Sequence, residues 1–201
     1  MKGEWNQLLS TNEKKGDIRK DQIKKAALKV FAAKGISGTR MSMIAEEAGI
    51  SQGLTYRYFK SKEVLFTTLI QEALEESRVA MLNASLIPGS PKEQIKIMTK
   101  TILDESNKLP FMLIQQANTT SEGVPENVKE MLKEYSLSNP IDSLVPIVIK
   151  GQEMGEFCEG DPKQLLLFYF SIITGLMLQD LSVIDNSQEY HVELLGKILT
   201  K

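Results

Sequence analysis

The 27 residues from Thr39 to Leu65, TRMSMIAEEAGISQGLTYRYFKSKEVL, restrict this chain more than any other segment. Ile44, Ala45 and Ala48 recur at helical spacing and form one apolar face. Gly49 stands where that helix must stop, because glycine accepts the left-handed backbone that closes a helix end. Ile50 reads as a buried hinge residue. Ser51 is placed to cap a second short helix that carries Gln52, Thr55, Tyr56, Arg57 and Tyr58. Two short helices about a tight glycine turn, followed by a basic exit, form the pattern of a helix-turn-helix with an exposed recognition helix.

The charge distribution agrees with that pattern. The net charge of −2 hides a division: residues 1–62 hold 13 Lys and Arg against 6 Asp and Glu, and residues 63–201 hold 11 against 20. A front of +7 on a body of −9 suits one phosphate-binding face on an otherwise repelling surface. The single cysteine, Cys158, excludes an intrachain disulfide, and the single histidine, His191, argues against a His-rich metal site or a His-based triad. No metal or cofactor is expected. The most apolar run, Leu165 to Leu178, is too short for a membrane span, and no signal-type apolar stretch opens the chain. The expectation is a soluble cytoplasmic protein that is not an enzyme, since no nucleophile, base or metal cluster has recognisable spacing.

Periodicity predicts an all-α fold. Residues 1–16 lack a pattern around Trp5 and read as a mobile arm, with Lys14 and Lys15 its basic residues. From Asp17 to Lys34, Ile23, Ala27, Val30 and Phe31 make one apolar stripe, and Gly35 ends the helix. Lys62 opens a long helix to about Leu82 that buries Leu65, Leu69 and Leu74, and Pro88-Gly89-Ser90-Pro91 breaks it. Helices are expected at 91–107, 110–119, 125–138, 141–155, 162–182 and 186–200, with Asp161-Pro162 a cap followed by a first-turn proline. The domain reading is an arm over 1–16, a three-helix DNA-binding domain over 17–62 and a helical body over 63–201.

Ala45-x-x-Ala48-Gly49 followed by Ser51-x-Gly53-x-x-Tyr56-x-Tyr58-Phe59-x-x-Lys62-Glu63 resembles the signature of the TetR family of bacterial transcriptional repressors. The close match covers about a quarter of the chain. The candidate DNA-contacting set is Thr39, Arg40, Ser42, Ser51, Gln52, Gly53, Thr55, Tyr56, Arg57, Tyr58 and Lys62. Gln52 can offer a donor and an acceptor to a base such as adenine, and Gly53 lets the backbone approach DNA closely. Thr55 can supply a hydroxyl or a methyl. Arg57 is either an additional contact or a solvent-facing residue, and Phe59 fits a core. The resemblance implies that Tyr56 and Tyr58 meet phosphates or the sugar backbone and that Lys62 binds phosphate. Thr39-Arg40-Met41-Ser42-Met43 departs from the family: the capping-box acid is missing, and Ser42 stands where some relatives have a guanine-reading arginine. Arg40 can substitute as a phosphate contact.

The resemblance also implies a C-terminal ligand-binding and dimerisation domain. Such a protein acts as a homodimer on palindromic double-stranded operator DNA and is released by a small apolar or amphipathic effector. Candidate pocket residues are Met98, Ile102, Phe111, Met112, Gln115, Asn118, Met131, Tyr135, Ile149 and Met154, in which methionines and aromatics adapt to apolar ligands and amides orient them. Leu165 to Leu178 is apolar on more than one face, which suits either a dimer interface or an internal helix of a monomer. Leu166, Phe170, Ile173, Met177, Leu195 and Leu199 are the candidate dimer residues, because the family pairs its last two helices across the two-fold axis.

Overall fold

The computed structural model describes residues 2–120, 122–179 and 188–200, with side chains from Asp17 onward. The described residues form helices and short 3-10 turns and contain no strand. The order is α1 (Lys2–Gly38), α2 (Met41–Glu47), α3 (Gln52–Tyr58), α4 (Lys62–Asn83), α5 (Pro91–Ile102), α6 (Glu105–Thr119), α7 (Glu126–Ser138), α8 (Val145–Glu153), α9 (Pro162–Leu178) and α10 (Gln188–Leu199). Residues 2–16, expected to be an arm, continue the backbone of α1; no proline interrupts them. Gly35 breaks α1 with φ 66°, as its place at the end of the apolar stripe requires.

Caps set most of the other boundaries. The Ser61 hydroxyl accepts from Val64 N at 3.2 Å to start α4. Ser90 and Glu93 form a reciprocal capping box on α5, with Ser90 N donating to Glu93 Oε2 at 2.8 Å. Asp161 accepts from Gln164 N at 2.8 Å ahead of Pro162.

One expected break is misplaced. Helix 91–107 stops at Ile102, and Asp104 caps α6 by accepting from Ser106 N at 2.9 Å. Pro110 therefore lies inside α6, where its missing N–H leaves the Ser106 carbonyl without an intrahelical donor. The stretch expected as helix 141–155 is a 3-10 turn over Pro140–Leu144 followed by α8. α9 ends at Leu178, and the boundaries expected at 182 and 186 lie outside the described residues.

Two cores hold the chain together. The first contains Ile23, Ala27, Val30 and Phe31 of α1, Ile44 of α2, Phe59, and Leu65, Phe66, Leu69 and Ile70 of α4. It also contains Leu113 and Ala117 of α6 together with Val124, Val128 and Leu132, so the N-terminal helices share their core with the body rather than closing one at residue 62. The second joins Met81 to Ile95 and Met98, Leu144, Ile147 and Val148, Phe157, and the inward faces of α9 and α10. Helix α4 belongs to both.

Tyr169 lies at the centre of the second core, 1% exposed, with its hydroxyl 2.6 Å from that of Thr99. Burial pushes its pKa up to about 12. An unfolded tyrosine ionises near pH 10, so this stabilisation is complete below about pH 10 and is lost as pH rises towards 12. Tyr169→Phe should therefore abolish an alkaline loss on the order of 1 kcal/mol by pH 11. Denaturant titrations at pH 8 and pH 11 measure it; identical pH dependence in the two proteins would refute the assignment.

Candidate nucleic-acid interface and body cavity

Helix α2 turns its apolar face inward, with Met41, Ile44, Ala45 and Ala48 buried. It ends in a Schellman motif: Gly49 N donates to Glu46 O and Ile50 N to Ala45 O, both at 3.0 Å, with Gly49 at φ 63°. Ile50 packs against the first core as the hinge residue. Helix α1 grips this turn through Gln22 Nε2, which donates to Ala48 O at 2.6 Å. Ser51 then caps α3, its hydroxyl accepting from Leu54 N at 3.3 Å. The angle between α2 and α3 is thus set by backbone hydrogen bonds, by the burial of Ile44 and Ile50, and by two α1 side chains, Gln22 and Lys29, the latter paired with Glu47 at 3.0 Å.

Ser51, Gln52, Gly53, Tyr56 and Arg57 are exposed, and 52, 53, 56 and 57 fall on one side of α3. The space beside Gly53 is open, with no atom within 4 Å of the point a Cβ would occupy. Tyr58 is half-buried against the first core, while Arg40 and Ser42 are exposed at the start of α2. Arg40 is the N-cap residue and makes no side-chain cap bond, as the missing acid implied.

Three expected contacts are placed differently. Thr55 is 0% exposed and its hydroxyl donates to Ser51 O at 3.4 Å, so its side chain belongs to the interior rather than to a base edge. Thr39, 1% exposed, donates to Gly35 O at 2.6 Å and serves the α1–α2 junction. Lys62 donates to Ile36 O at 2.8 Å and Thr39 O at 2.9 Å. Two of its three ammonium hydrogens hold that same junction, which limits it as a phosphate ligand. Lys60, absent from the sequence-based set, is exposed directly after α3. Only its position in the basic exit hinted at it.

The body encloses a cavity of about 420 Å³ between α4, α5, α6 and α9. Ala73, Ser77, Ala80 and Met81 of α4 form one wall, Met98 and Ile102 of α5 a second, and Pro110, Phe111 and Ile114 of α6 a third. Met177 closes one side, and Glu76, Asn83 and Asn107 are among its polar groups. Of the ten residues expected here, Met98, Ile102 and Phe111 line it. Ile149, Met154 and Asn118 are exposed. Met131 and Tyr135 pack on the first core, where the Tyr135 hydroxyl lies 2.8 Å from that of Ser77, and Met112 and Gln115 are half-buried away from the lining. The expectation sampled methionines and aromatics of the body, whereas one wall is the small-residue face of α4.

The candidate dimer residues also divide. Leu166, Ile173, Met177, Leu195 and Leu199 are at most 5% exposed inside a single chain, so they form its own second core. Phe170 is half-buried beside Tyr169. The outward residues are instead Leu167, Phe168 and Leu178 of α9 and Tyr190 and Leu194 of α10, between 40% and 61% exposed.

Residues 23–69 match the family model described as bacterial regulatory proteins, tetR family. Over those residues the chain is similar to the TetR family. Among TetR-family and other helix-turn-helix relatives it is 31% identical over 135 residues to the HTH-type transcriptional regulator YuxN of Bacillus subtilis (strain 168), covering 65% of this chain and 46% of that protein. It is 28% identical over 142 residues to the HTH-type transcriptional repressor NicS of Pseudomonas putida, covering 70% of this chain and 66% of that protein. The matches thus span about half to two thirds of these relatives. The structure of AibR with isovaleryl coenzyme A and operator DNA superposes with a TM-score of 0.68 at 14% identity, over 90% of this chain and 98% of AibR. That likeness concerns the TetR fold. No helix among the described residues is long and apolar enough to cross a membrane.

Gln52→Ala tests the interface at its outermost polar side chain. Removing a bidentate amide costs about 1–3 kcal/mol of discrimination at one base pair. Sequence-specific affinity should fall roughly 5- to 150-fold with an unchanged melting temperature. Unchanged affinity for the specific duplex would exclude Gln52 from base contact.

Proposed function

We propose that this protein is a dimeric, effector-released transcriptional repressor that binds operator DNA through α3. The observation that carries the reading is the placement of one cavity against two helices that both enter the DNA-binding core. Helix α4 lines the cavity through Ala73 to Asn83 and buries Leu65, Phe66 and Leu69 in the core it shares with α1 and with Ile44 of α2. Helix α6 lines it through Pro110, Phe111 and Ile114 and holds the end of α1, with Gln116 Nε2 donating to Ala32 O at 2.8 Å. The opposite amide oxygen, Gln116 Oε1, is buried with no hydrogen-bond partner among the described residues.

A ligand that fits one spacing of α4 and α6 better than the other shifts the balance between those spacings, and α1 and α4 carry that preference to α3. Two copies joined through the outward faces of α9 and α10 present two α3 helices to two half-sites. The repressor sense draws support from the name of NicS and the effector from the acyl-coenzyme A bound to AibR. The mostly apolar cavity lining suits a small apolar or amphipathic effector.

Fluorescence anisotropy with the duplex upstream of the protein's own gene tests this reading across a salt series. Saturation at two chains per site, with affinity falling steeply as salt rises, is the expected result. Equal affinity for a scrambled duplex at every salt concentration would overturn it.

A further inference from the structure

A second cleft, of about 360 Å³, lies between the first turns of α5 and the last turns of α10. Its floor is apolar, with Ile95, Phe157, Val192 and Leu199 each at most 3% exposed. Its rim carries Lys92 and Lys96 from α5, one helical turn apart, Lys197 from the facing α10, and one acid, Glu193. None of these four joins an ion pair among the described residues.

Three ammonium groups against the carboxylates of Glu193 and of Glu156, which sits beside Lys92, leave this rim positive by one, although residues 63–201 carry −9 overall. The neighbouring backbone is already satisfied: Lys92 N donates to Glu156 Oε2 at 2.9 Å and Cys158 N to Leu199 O at 2.8 Å. The lysine side chains and the Thr200 hydroxyl are therefore the donors left to meet a ligand. Gly196 keeps the slot open, since nothing lies within 4 Å of the point its Cβ would occupy.

We propose that this cleft binds a monoanionic amphiphile, a medium-chain carboxylate, with its chain along the apolar floor and its head among Lys92, Lys96 and Lys197. The volume falls within the range of small-molecule sites, roughly 300–1,000 Å³. The site shares no residue with the cavity on α4 and α6. An amine head would face three like charges, and a neutral head would forgo the attraction the rim supplies.

Calorimetric titration of the full chain with decanoate, decanol and decylamine below micellar concentrations tests the assignment. Decanoate should bind more tightly than either analogue. Lys96→Gln with Lys197→Gln should weaken decanoate about fivefold or more and leave decanol unchanged, whereas Glu193→Gln should strengthen decanoate by roughly twofold. Gly196→Leu should block the slot. If that variant does not fold, the double lysine variant, which alters only exposed side chains, decides the case. Absence of decanoate binding, equal binding of decylamine, or indifference to the lysine changes would each overturn the proposal.

Discussion

On the proposed dimer, replacing Phe168 with glutamate is expected to give a folded monomer and to weaken specific DNA binding by about 100-fold or more. Phe168 is 61% exposed and stands outside the second core, whose α9 members are Leu166, Tyr169, Ile173 and Met177. On its side of the helix Ser171, Gly175 and Leu178 are also exposed, and no atom lies within 4 Å of the point a Gly175 Cβ would occupy. An apolar stripe with small residues at its centre lets a partner helix approach closely. A carboxylate buried in such a contact has no counter-charge, which costs several kcal/mol per copy. The free chain bears no such penalty, because there the glutamate remains in water. The loss of DNA affinity follows from losing the second half-site, since two linked contacts gain roughly 10²–10⁴ in avidity over one. Sedimentation, far-ultraviolet circular dichroism and anisotropy together measure it. An intact dimer with unchanged DNA affinity would place the interface elsewhere.

Phe66→Ala is expected to lower stability by about 3–5 kcal/mol, the usual cost of emptying an aromatic site in a core. Phe66 is 1% exposed and meets Phe31 edge to face, with ring centroids 5.1 Å apart and planes at 82°. It joins α4 to α1 inside the core that also receives Leu113 and Val128 from the body. The deletion should therefore destabilise the DNA-binding helices and the body together, with a drop of roughly 6–20 °C in melting temperature. Phe66→Leu should lose less, because most of the volume is retained. A thermal melt monitored by circular dichroism distinguishes the two. A shift below about 3 °C for Phe66→Ala would contradict the packing at this site.

The difference between Phe66 and Lys62, four residues apart on α4, illustrates what was legible in advance. The first core was visible because its residues repeat: Ile23, Ala27, Val30 and Phe31 align on one helix face whatever the partner is, and all four are buried. Lys62 has no such internal signal. Its ammonium finds the Ile36 and Thr39 carbonyls only because α4 starts beside the end of α1. Thr55 is similar. Its residue type suits either a groove contact or an interior hydroxyl, and the packing of α3 buries it.

Helix α9 marks the same limit in apolar residues. A helix apolar around its circumference announces burial on two sides without saying which side meets its own chain. Leu166 and Ile173 face inward and Leu167 and Phe168 outward because α6, α8 and α10 pack against one side of α9.

The sequence by itself determined the helical class, the turn at Gly49, the Ser51 cap and the division of charge. Each rests on interactions between residues close along the chain or on summed composition. Tertiary structure alone decided that α6 and α7 complete the DNA-binding core, that α4 supplies a wall of the cavity, and which stripe of α9 remains outside. Those features depend on distances between segments far apart in sequence, and local propensity and periodicity carry no information about such distances.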